Sequence, residues 1–433
     1  MMDTILGLDP ITFWIIVTAA LVNVSGALLG TFLVLRQMSM MGDAISHAVL
    51  PGLAIAFVIT GTREPIYMLI GALVAGVLTV ILTQLIQRYT SVAEDAALGV
   101  VFTALFALGV LIISRVANQV DLDPGCVLYG ILEAAALDTT PVLGLEVPRI
   151  AITMGVATVV AAIAVTVFWK ELKISSFDPG LATTLGINAQ VVHYVLMCLI
   201  AAYTVAAFEA VGSILVVAAL VAPAAAAYML TDRLNLMVAY GCIIGVVSAV
   251  LAQNAALRYE TSVAGMTAVV LGLAFAVAVV FSPRYGFAAK KIQRFRLSMK
   301  VVMEDLLAMM YRWQEMYGSK PLAAQSAYEA LGGGFAPRLA RWSLLRSGEV
   351  RQVPGGLVLA EEGEKKAASL IRGHRLWETY LYTNFGTPED HTHDPADRME
   401  HFLTQEILEE VAETLDYAEV DPQGNPIPEN DRK

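Results

Sequence analysis

Long apolar runs occupy most of the first two thirds of the chain. A transmembrane helix needs about 20 predominantly apolar residues, and runs of that length recur from residue 12 onward. The pattern predicts nine membrane spans, at about 12–35, 43–60, 66–87, 96–114, 149–169, 190–208, 211–230, 236–253 and 263–282. The less apolar stretch 115–148 could hide a re-entrant segment, so eight or ten spans stay open at this stage.

The pattern changes after residue 283. Residues 298–317 have helical apolar spacing, and two short helix-like runs follow at 322–331 and 336–347, separated by three glycines. A hairpin-like segment at 350–359 turns at Pro-Gly-Gly. This order is typical of a winged helix-turn-helix, with 336–347 as the recognition helix. Its candidate DNA contacts are Arg338, Arg341 and Arg346.

Composition supports the same division. The chain is 57% hydrophobic and 15% charged, whereas soluble domains carry about 25% charge. Only 25 of the first 283 residues are charged, against 42 of the last 150. The net charge of −11 excludes a bulk nucleic-acid polycation, and the three cysteines lack the C-x-x-C spacing of a thiolate zinc site. We predict a membrane part followed by a soluble part.

A basic cluster after the last span sets the orientation. Six residues without an intervening acid follow it, namely Arg284, Lys290, Lys291, Arg294, Arg296 and Lys300. Lys and Arg flanking a span favour the cytoplasmic side, so the C-terminus is predicted to be cytoplasmic and, with nine spans, the N-terminus outside. The cluster could also contact anionic lipid headgroups.

Two ionisable residues lie inside the second span. Asp43 and His47 are four residues apart and share one helix face. Ionisable residues within spans are costly and usually face a pathway, and this pair offers two ligands for Mn²⁺, Zn²⁺ or Fe²⁺. Spacing alone leaves a second interpretation open, in which a local Asp–His hydrogen bond caps the helix.

The soluble part contains four of the six histidines within 374–401. A single pair would be typical of a solvated polar face. Here a set recurs at helical spacing, and it favours a site for Mn²⁺, Fe²⁺ or Zn²⁺. The set is His374, Glu378, His393, Asp394, Asp397, Glu400 and His401. No G-x-x-x-x-G-K-[ST] motif occurs, so we expect this chain to bind no nucleotide and a separate ATPase subunit to hydrolyse ATP.

Three segments in order resemble the permease subunits of ATP-binding-cassette importers for manganese, zinc and iron. They are Leu35–Gly52, Phe177–Gly186 and Val211–Ala226. The resemblance implies that Asp43 and His47 line the metal path and that Phe177, Asp178, Ala182 and Gly186 belong to a loop that docks on the ATPase. It also implies an extracytoplasmic metal-binding protein, a second permease copy or paralogue, and a location in the bacterial inner membrane.

The region from about 304 to 428 resembles metal-responsive repressors of the diphtheria-toxin-repressor type. The resemblance places a primary metal site at Asp305, His374, Asp397, Glu400 and His401 and an ancillary site at Glu378, His393 and, alternatively, His374. A carboxylate at 397 suits Mn²⁺ better than Fe²⁺. One departure is Ala308, where manganese-type members have a carboxylate.

These features predict an all-α polytopic membrane domain followed by a soluble α+β winged helix and a helical metal-binding and dimerisation domain. The expected division is 1–285, a basic linker 286–300, 301–365 and 366–433. The main functional hypothesis is a metal permease whose cytoplasmic domain senses metal and inhibits uptake. The alternative is a metal-dependent DNA-binding repressor tethered to, or released from, the permease. An intramembrane enzyme is disfavoured, because no catalytic motif accompanies Asp43 and His47.

Overall fold

The computed structural model describes residues 9–62, 65–116, 132–142, 145–283 and 285–429. The chain separates into two compact units, Met1–Lys290 and Lys291–Lys433. In the described part of the first unit, nine segments are long and apolar enough to cross a membrane, as the sequence predicts. Its helices are α1 (Pro10–Leu35), α2 (Met41–Ala48), α3 (Leu50–Thr60), α4 (Pro65–Tyr89), α5 (Glu94–Val116), α6 (Leu132–Ala135), α7 (Arg149–Val167), α8 (Trp169–Phe177), α9 (Pro179–Thr184), α10 (Ala189–Leu230), α11 (Leu234–Tyr259) and α12 (Val263–Phe281).

Close helix contacts organise the first unit around α1. Added Cβ atoms at Gly26 and Gly30 would overlap the backbone carbonyls of Ala219 and Leu220 in α10. The side-chain amide of Asn23 donates to the carbonyl of Gly245 in α11 over 2.9 Å. Small residues let membrane helices approach closely, and amide hydrogen bonds add to the packing. The sequence of α1 therefore specifies its two main neighbours.

Backbone breaks occur inside two of these segments. The second span consists of α2 and α3, which meet at Val49 just before Pro51. Gly212 has φ 72° and ψ 170° inside α10, which divides that helix into the spans Ala189–Phe208 and Val211–Leu230. Positive φ is accessible to glycine at little cost. Residues 117–131, which bear on the question of a re-entrant piece, lie outside the described residues, and a short antiparallel hairpin of β1 (Thr139–Val142) and β2 (Leu145–Pro148) follows α6.

The second unit is α+β, as predicted. It contains α13 (Phe287–Tyr317, which begins before the unit boundary), α14 (Ala324–Ala330), α15 (Phe335–Ser347), β3 (Val350–Val353), β4 (Gly356–Leu359), α16 (Glu361–Phe385), α17 (His393–Met399) and α18 (Gln405–Thr414). The strands β3 and β4 form the expected antiparallel hairpin, with Val350 opposite Leu359. A core of α13, α14, α15 and the hairpin includes Leu306, Met310, Leu344 and Leu357.

Helix α13 starts earlier than the sequence pattern predicted. It begins at Phe287 rather than near 298, so most of the segment expected to be a linker is helical. The reason is local, because residues 287–317 contain no glycine or proline and many residues of high helix propensity. Five of the six basic residues, from Lys290 to Lys300, are therefore in the first turns of a long helix.

Candidate metal centres

The predicted transport pair lies on α2. The Asp43 carboxylate oxygen Oδ1 is 3.5 Å from Nε2 of His47, and both side chains are about one third exposed. The rings of Phe102 and Phe106 in α5 pack around the imidazole at centroid distances of 6.3 and 5.8 Å. The structure thus brings the two ionisable groups together and holds the histidine against aromatic rings.

The predicted coupling segment forms two short helices between the fifth and sixth spans. Asp178 caps α9 by accepting a hydrogen bond from the Leu181 amide over 2.9 Å. Ala182 is fully buried, whereas Phe177 is 61% exposed. Gly186 ends the segment with φ 83°, a conformation that favours glycine. An exposed aromatic side chain at the junction of α8 and the capped helix α9 is suited to contact with another protein.

An arginine that sequence reasoning missed ties this segment to two spans. The guanidinium of Arg36, just after α1, donates to the hydroxyls of Ser175 and Ser176 in α8 over 2.8 and 3.0 Å. It also lies 3.3 Å from Nδ1 of His193 near the start of α10. A movement of α8 therefore acts directly on α1 and α10. The partners are about 140 and 157 positions from Arg36, and local pattern gives no signal of such pairing.

The first candidate metal set of the second unit is His374, Glu378 and His393. Nε2 of His374 lies 3.2 Å from Oε1 of Glu378 and 2.9 Å from Nδ1 of His393. Nδ1 of His393 is 2.9 Å from the same Glu378 oxygen. His374 and Glu378 are buried on α16, and His393 is exposed at the start of α17. Two imidazoles and one carboxylate are ligands suited to Mn²⁺, Fe²⁺ or Zn²⁺.

The second candidate set is Asp305, Glu400 and His401, and it joins α13 to the end of α17. Nε2 of His401 is 3.1 Å from Oδ1 of Asp305 and 3.9 Å from Oε1 of Glu400. The side chain of Glu400 is 1% exposed. A buried carboxylate is costly unless it is paired or coordinated, so this arrangement is suited to hold a cation.

A third set shares residues with the other two. His374, Asp397 and Glu400 also offer ligand atoms within 4.8 Å of one another, and Nδ1 of His374 is 2.6 Å from Oε2 of Glu400. His374 also belongs to the first set and Glu400 to the second. An ion bound at the third set would therefore compete for ligands with an ion at either of the other two. The first and second sets have no residue in common, and Asp397, which is exposed, is grouped only with His374 and Glu400 among the described residues.

Hydrogen bonds within the sets favour protonation of His374 and His401 in the absence of metal, because they raise the pKa of both imidazoles. Hydrogen bonds to Asp305 and Glu304 raise the pKa of His401 to about 10. Burial disfavours protonation of His374, but hydrogen bonds to Glu378 and Glu400 outweigh it and raise the pKa. A metal ion must displace these protons, since imidazole ligates in its unprotonated form.

Two further polar contacts were not foreseen from sequence. Glu304, next to Asp305 in α13, accepts a hydrogen bond from Nδ1 of His401 over 2.9 Å. Arg312 places Nη2 4.0 Å from the Glu400 carboxylate. Ala308, where a carboxylate was expected by resemblance, is a buried alanine one turn after Glu304. The only sequence feature that pointed to Glu304 was its position next to the predicted ligand Asp305.

An ion pair between the buried Arg375 and the more exposed Glu315 holds the C-terminal segment against this region. The guanidinium of Arg375 donates two hydrogen bonds to the Glu315 carboxylate, over 2.9 and 2.7 Å, and a third to the Pro426 carbonyl. Arg375 follows His374 directly in α16. Its fixed position restrains the backbone that presents the shared histidine.

The three candidate DNA contacts on α15 have different surroundings. Arg338 is exposed. The Arg341 guanidinium lies over the Tyr328 ring at 5.6 Å, and the Arg346 guanidinium lies over the Trp342 ring at 5.2 Å. Arg341 is therefore engaged within the unit, whereas the other two are presented outward.

Comparison with known families identifies the class of protein. Residues 9–282, more than half of the chain, match the model of the ABC 3 transport family. Residues 360–429 match the model described as iron dependent repressor, metal binding and dimerisation domain. The chain therefore belongs to the ABC 3 transport family, as a multi-pass permease, and carries a C-terminal domain of the iron-dependent-repressor type.

Individual relatives match the membrane part. The chain is 43% identical over 285 residues to the manganese transport system membrane protein MntD of Bacillus subtilis, covering 66% of this chain and 96% of the relative. It is 37% identical over 275 residues to the zinc transport system membrane protein TroD of Treponema pallidum, covering 64% and 75%. The solved structure of PsaBC from Streptococcus pneumoniae with Fab aligns at 29% identity and TM-score 0.55, covering 64% of this chain and 94% of that chain.

Proposed function

We propose that this protein is the permease subunit of an ATP-binding-cassette importer for a divalent transition metal, Mn²⁺ first and Fe²⁺ or Zn²⁺ next. The relatives named for manganese and zinc transport support this substrate class. The permease lies in the bacterial inner membrane with its C-terminus in the cytoplasm and works as a homodimer or with a paralogous permease. A separate ATPase docks on α8 and α9, and an extracytoplasmic protein delivers the metal.

The observation that carries this proposal is the Asp43–His47 pair within a 20-residue span. Uptake of radioactive manganese by cells expressing the importer tests it. Asp43→Ala and His47→Ala should abolish uptake while the amount of protein in the membrane stays unchanged. Asp138→Ala, which removes an exposed carboxylate outside the spans, is the matched control. Normal uptake by both pair variants would refute the assignment.

The second part of the proposal is feedback inhibition by the cytoplasmic domain. Metal bound at the sets around His374 and His401 would favour one conformation, and an ion that binds one state preferentially shifts the population toward it. Proteoliposomes loaded internally with Mn²⁺ should therefore take up metal more slowly with the intact protein than with His401→Ala. Equal rates at saturating internal Mn²⁺ and Fe²⁺ would eliminate this regulation.

A second candidate function is metal-dependent repression. The order of α13, α14, α15 and the β3–β4 hairpin is that of a winged helix-turn-helix, and it supports a DNA-binding role. The full chain in nanodiscs would then bind one duplex sequence specifically, with Mn²⁺ and not without it. Absence of specific binding under both conditions would remove this candidate.

A further inference from the structure

The outward face of α15 carries two large aromatic side chains that alternate with exposed arginines. Phe335 is 71% exposed and Trp342 is 55% exposed. Arg338 and Arg346 are also exposed. These four residues recur at i, i+3, i+7 and i+11, so they lie on one face of the helix. We refer to them as the α15 stripe.

The opposite face of α15 packs against the rest of the second unit. Pro337, Ala340 and Leu344 are buried against the unit. Leu339 and Leu345 flank the α15 stripe and are half-buried. The helix therefore already has a complete buried face. The exposed aromatic rings are an additional surface, which the folding of this unit does not explain.

Only half of the α15 stripe is suited to base recognition. Reading base edges requires side chains such as Asn, Gln, Ser or Arg that can form directed hydrogen bonds in the groove. The stripe offers only two guanidinium groups, and that of Arg346 lies over the Trp342 indole at 5.2 Å. Trp and Phe with flanking basic residues are typical of helices that lie in a membrane interface.

The positive charge of α15 favours lipids with anionic headgroups. Helix α15 contains three arginines and no acidic residue, which is complementary to anionic headgroups. Each basic residue near an anionic leaflet adds to the electrostatic attraction. The same polypeptide contains the membrane spans, so the stripe and a bilayer are held at high effective concentration.

We propose that the α15 stripe docks on the anionic phospholipid surface of the membrane that contains the permease. Phe335 and Trp342 insert their rings at the boundary between headgroups and acyl chains, and the two arginines bind lipid phosphates. The proposal does not depend on which metal is transported. While the stripe is on lipid, the helix is withheld from a DNA groove.

Fluorescence quenching by brominated phospholipids tests this in the full chain. The chain has five tryptophans, so the Trp342 component is obtained as the difference between the wild type and Trp342→Phe. In nanodiscs of phosphatidylcholine with phosphatidylglycerol, both brominated, most of the Trp342 emission should be lost. In brominated phosphatidylcholine alone the loss should be small. Arg338→Gln with Arg346→Gln should abolish the difference between the two compositions.

A matched pair of exposed phenylalanines provides the control. Phe335→Ser should reduce the quenching of Trp342, whereas Phe385→Ser, at a position 70% exposed on α16, should not. An unquenched Trp342 in both compositions overturns the proposal. The proposal is also overturned if lipid leaves Trp342 unquenched while duplex DNA binds the chain and Arg338→Gln lowers the affinity for DNA. A third outcome against it comes from quenching by aqueous iodide, if Trp342 is shielded from iodide only when the chain self-associates.

Discussion

Replacing Glu304 by leucine should weaken Mn²⁺ binding at the set formed by Asp305, Glu400 and His401. Glu304 accepts from Nδ1 of His401 over 2.9 Å, while Nε2 of His401 faces Asp305 at 3.1 Å. A metal bound at Nε2 leaves the proton on Nδ1, so Glu304 fixes both the tautomer and the ring orientation. Leucine has a similar size and removes the acceptor together with the ion pair to Lys300, whose Nζ lies 3.5 Å from Oε1 of Glu304.

The expected loss follows from one charge-assisted hydrogen bond. Such a bond contributes about 1.5–3 kcal/mol, and about 1.4 kcal/mol is a tenfold change in affinity. The affinity should therefore fall about 10- to 100-fold, which is the range usual for residues that orient a ligand without touching the metal. Glu304→Gln keeps an oxygen acceptor and should lose less.

The assay is a titration of the full chain with Mn²⁺, following free Mn²⁺ by electron paramagnetic resonance. An Asp43→Ala background removes the transport pair, and Glu329→Leu, on an exposed carboxylate that pairs only with Gln325 in the described structure, is the control. Equal affinity of the Glu304→Leu protein and its parent would refute the reasoning. A loss as large with glutamine as with leucine, together with one fewer oxygen ligand in the spectrum, would instead make Glu304 a direct ligand.

Two further substitutions test packing. Gly30→Ala should reduce the amount of folded permease, because a Cβ there would overlap the α10 backbone. In the control Gly265→Ala the added Cβ meets nothing within 4 Å, so that variant should be neutral. The yield of detergent-solubilised protein in size-exclusion chromatography distinguishes the two. Arg375→Met removes both hydrogen bonds to Glu315 and should destabilise the second unit by roughly 1.5–3 kcal/mol, the range for hydrogen bonds to a charged group. Amide hydrogen exchange in α16 should become faster in Arg375→Met and stay unchanged in the control Arg398→Met. Unchanged exchange in Arg375→Met would count against the predicted destabilisation.

The membrane spans could be predicted because they depend on length and apolar composition alone. A segment long enough to cross hydrocarbon must satisfy its own backbone, and tertiary contacts do not change that requirement. The ends of helices are harder to predict than the spans, because length and apolar composition do not determine them. The start of α13 at Phe287 was missed, because a charged stretch beside a span looks like a linker although its residues favour helix.

The metal sets were predictable only in part. His374 with Glu378, and Asp397 with His401, are one helical turn apart, so local spacing identifies them. The approach of Asp305 to His401 spans almost a hundred positions and came from family resemblance. Glu304 lies at the same sequence distance from His401 and belongs to no motif. Contacts between helices distant in sequence depend on tertiary packing, which spacing does not encode.

The position of the second set indicates how sensing could reach the pore. Asp305 lies on α13, which begins at Phe287, shortly after the last span ends at Phe281. Glu400 and His401 lie beyond α17, so an ion held by all three joins α13 to the metal-binding helices. Allosteric coupling requires that bound metal interact differently with two states of the transporter. Since α13 is the covalent connection between the sensing unit and the spans, the proposed feedback inhibition requires that metal bound at this set favour one of those states.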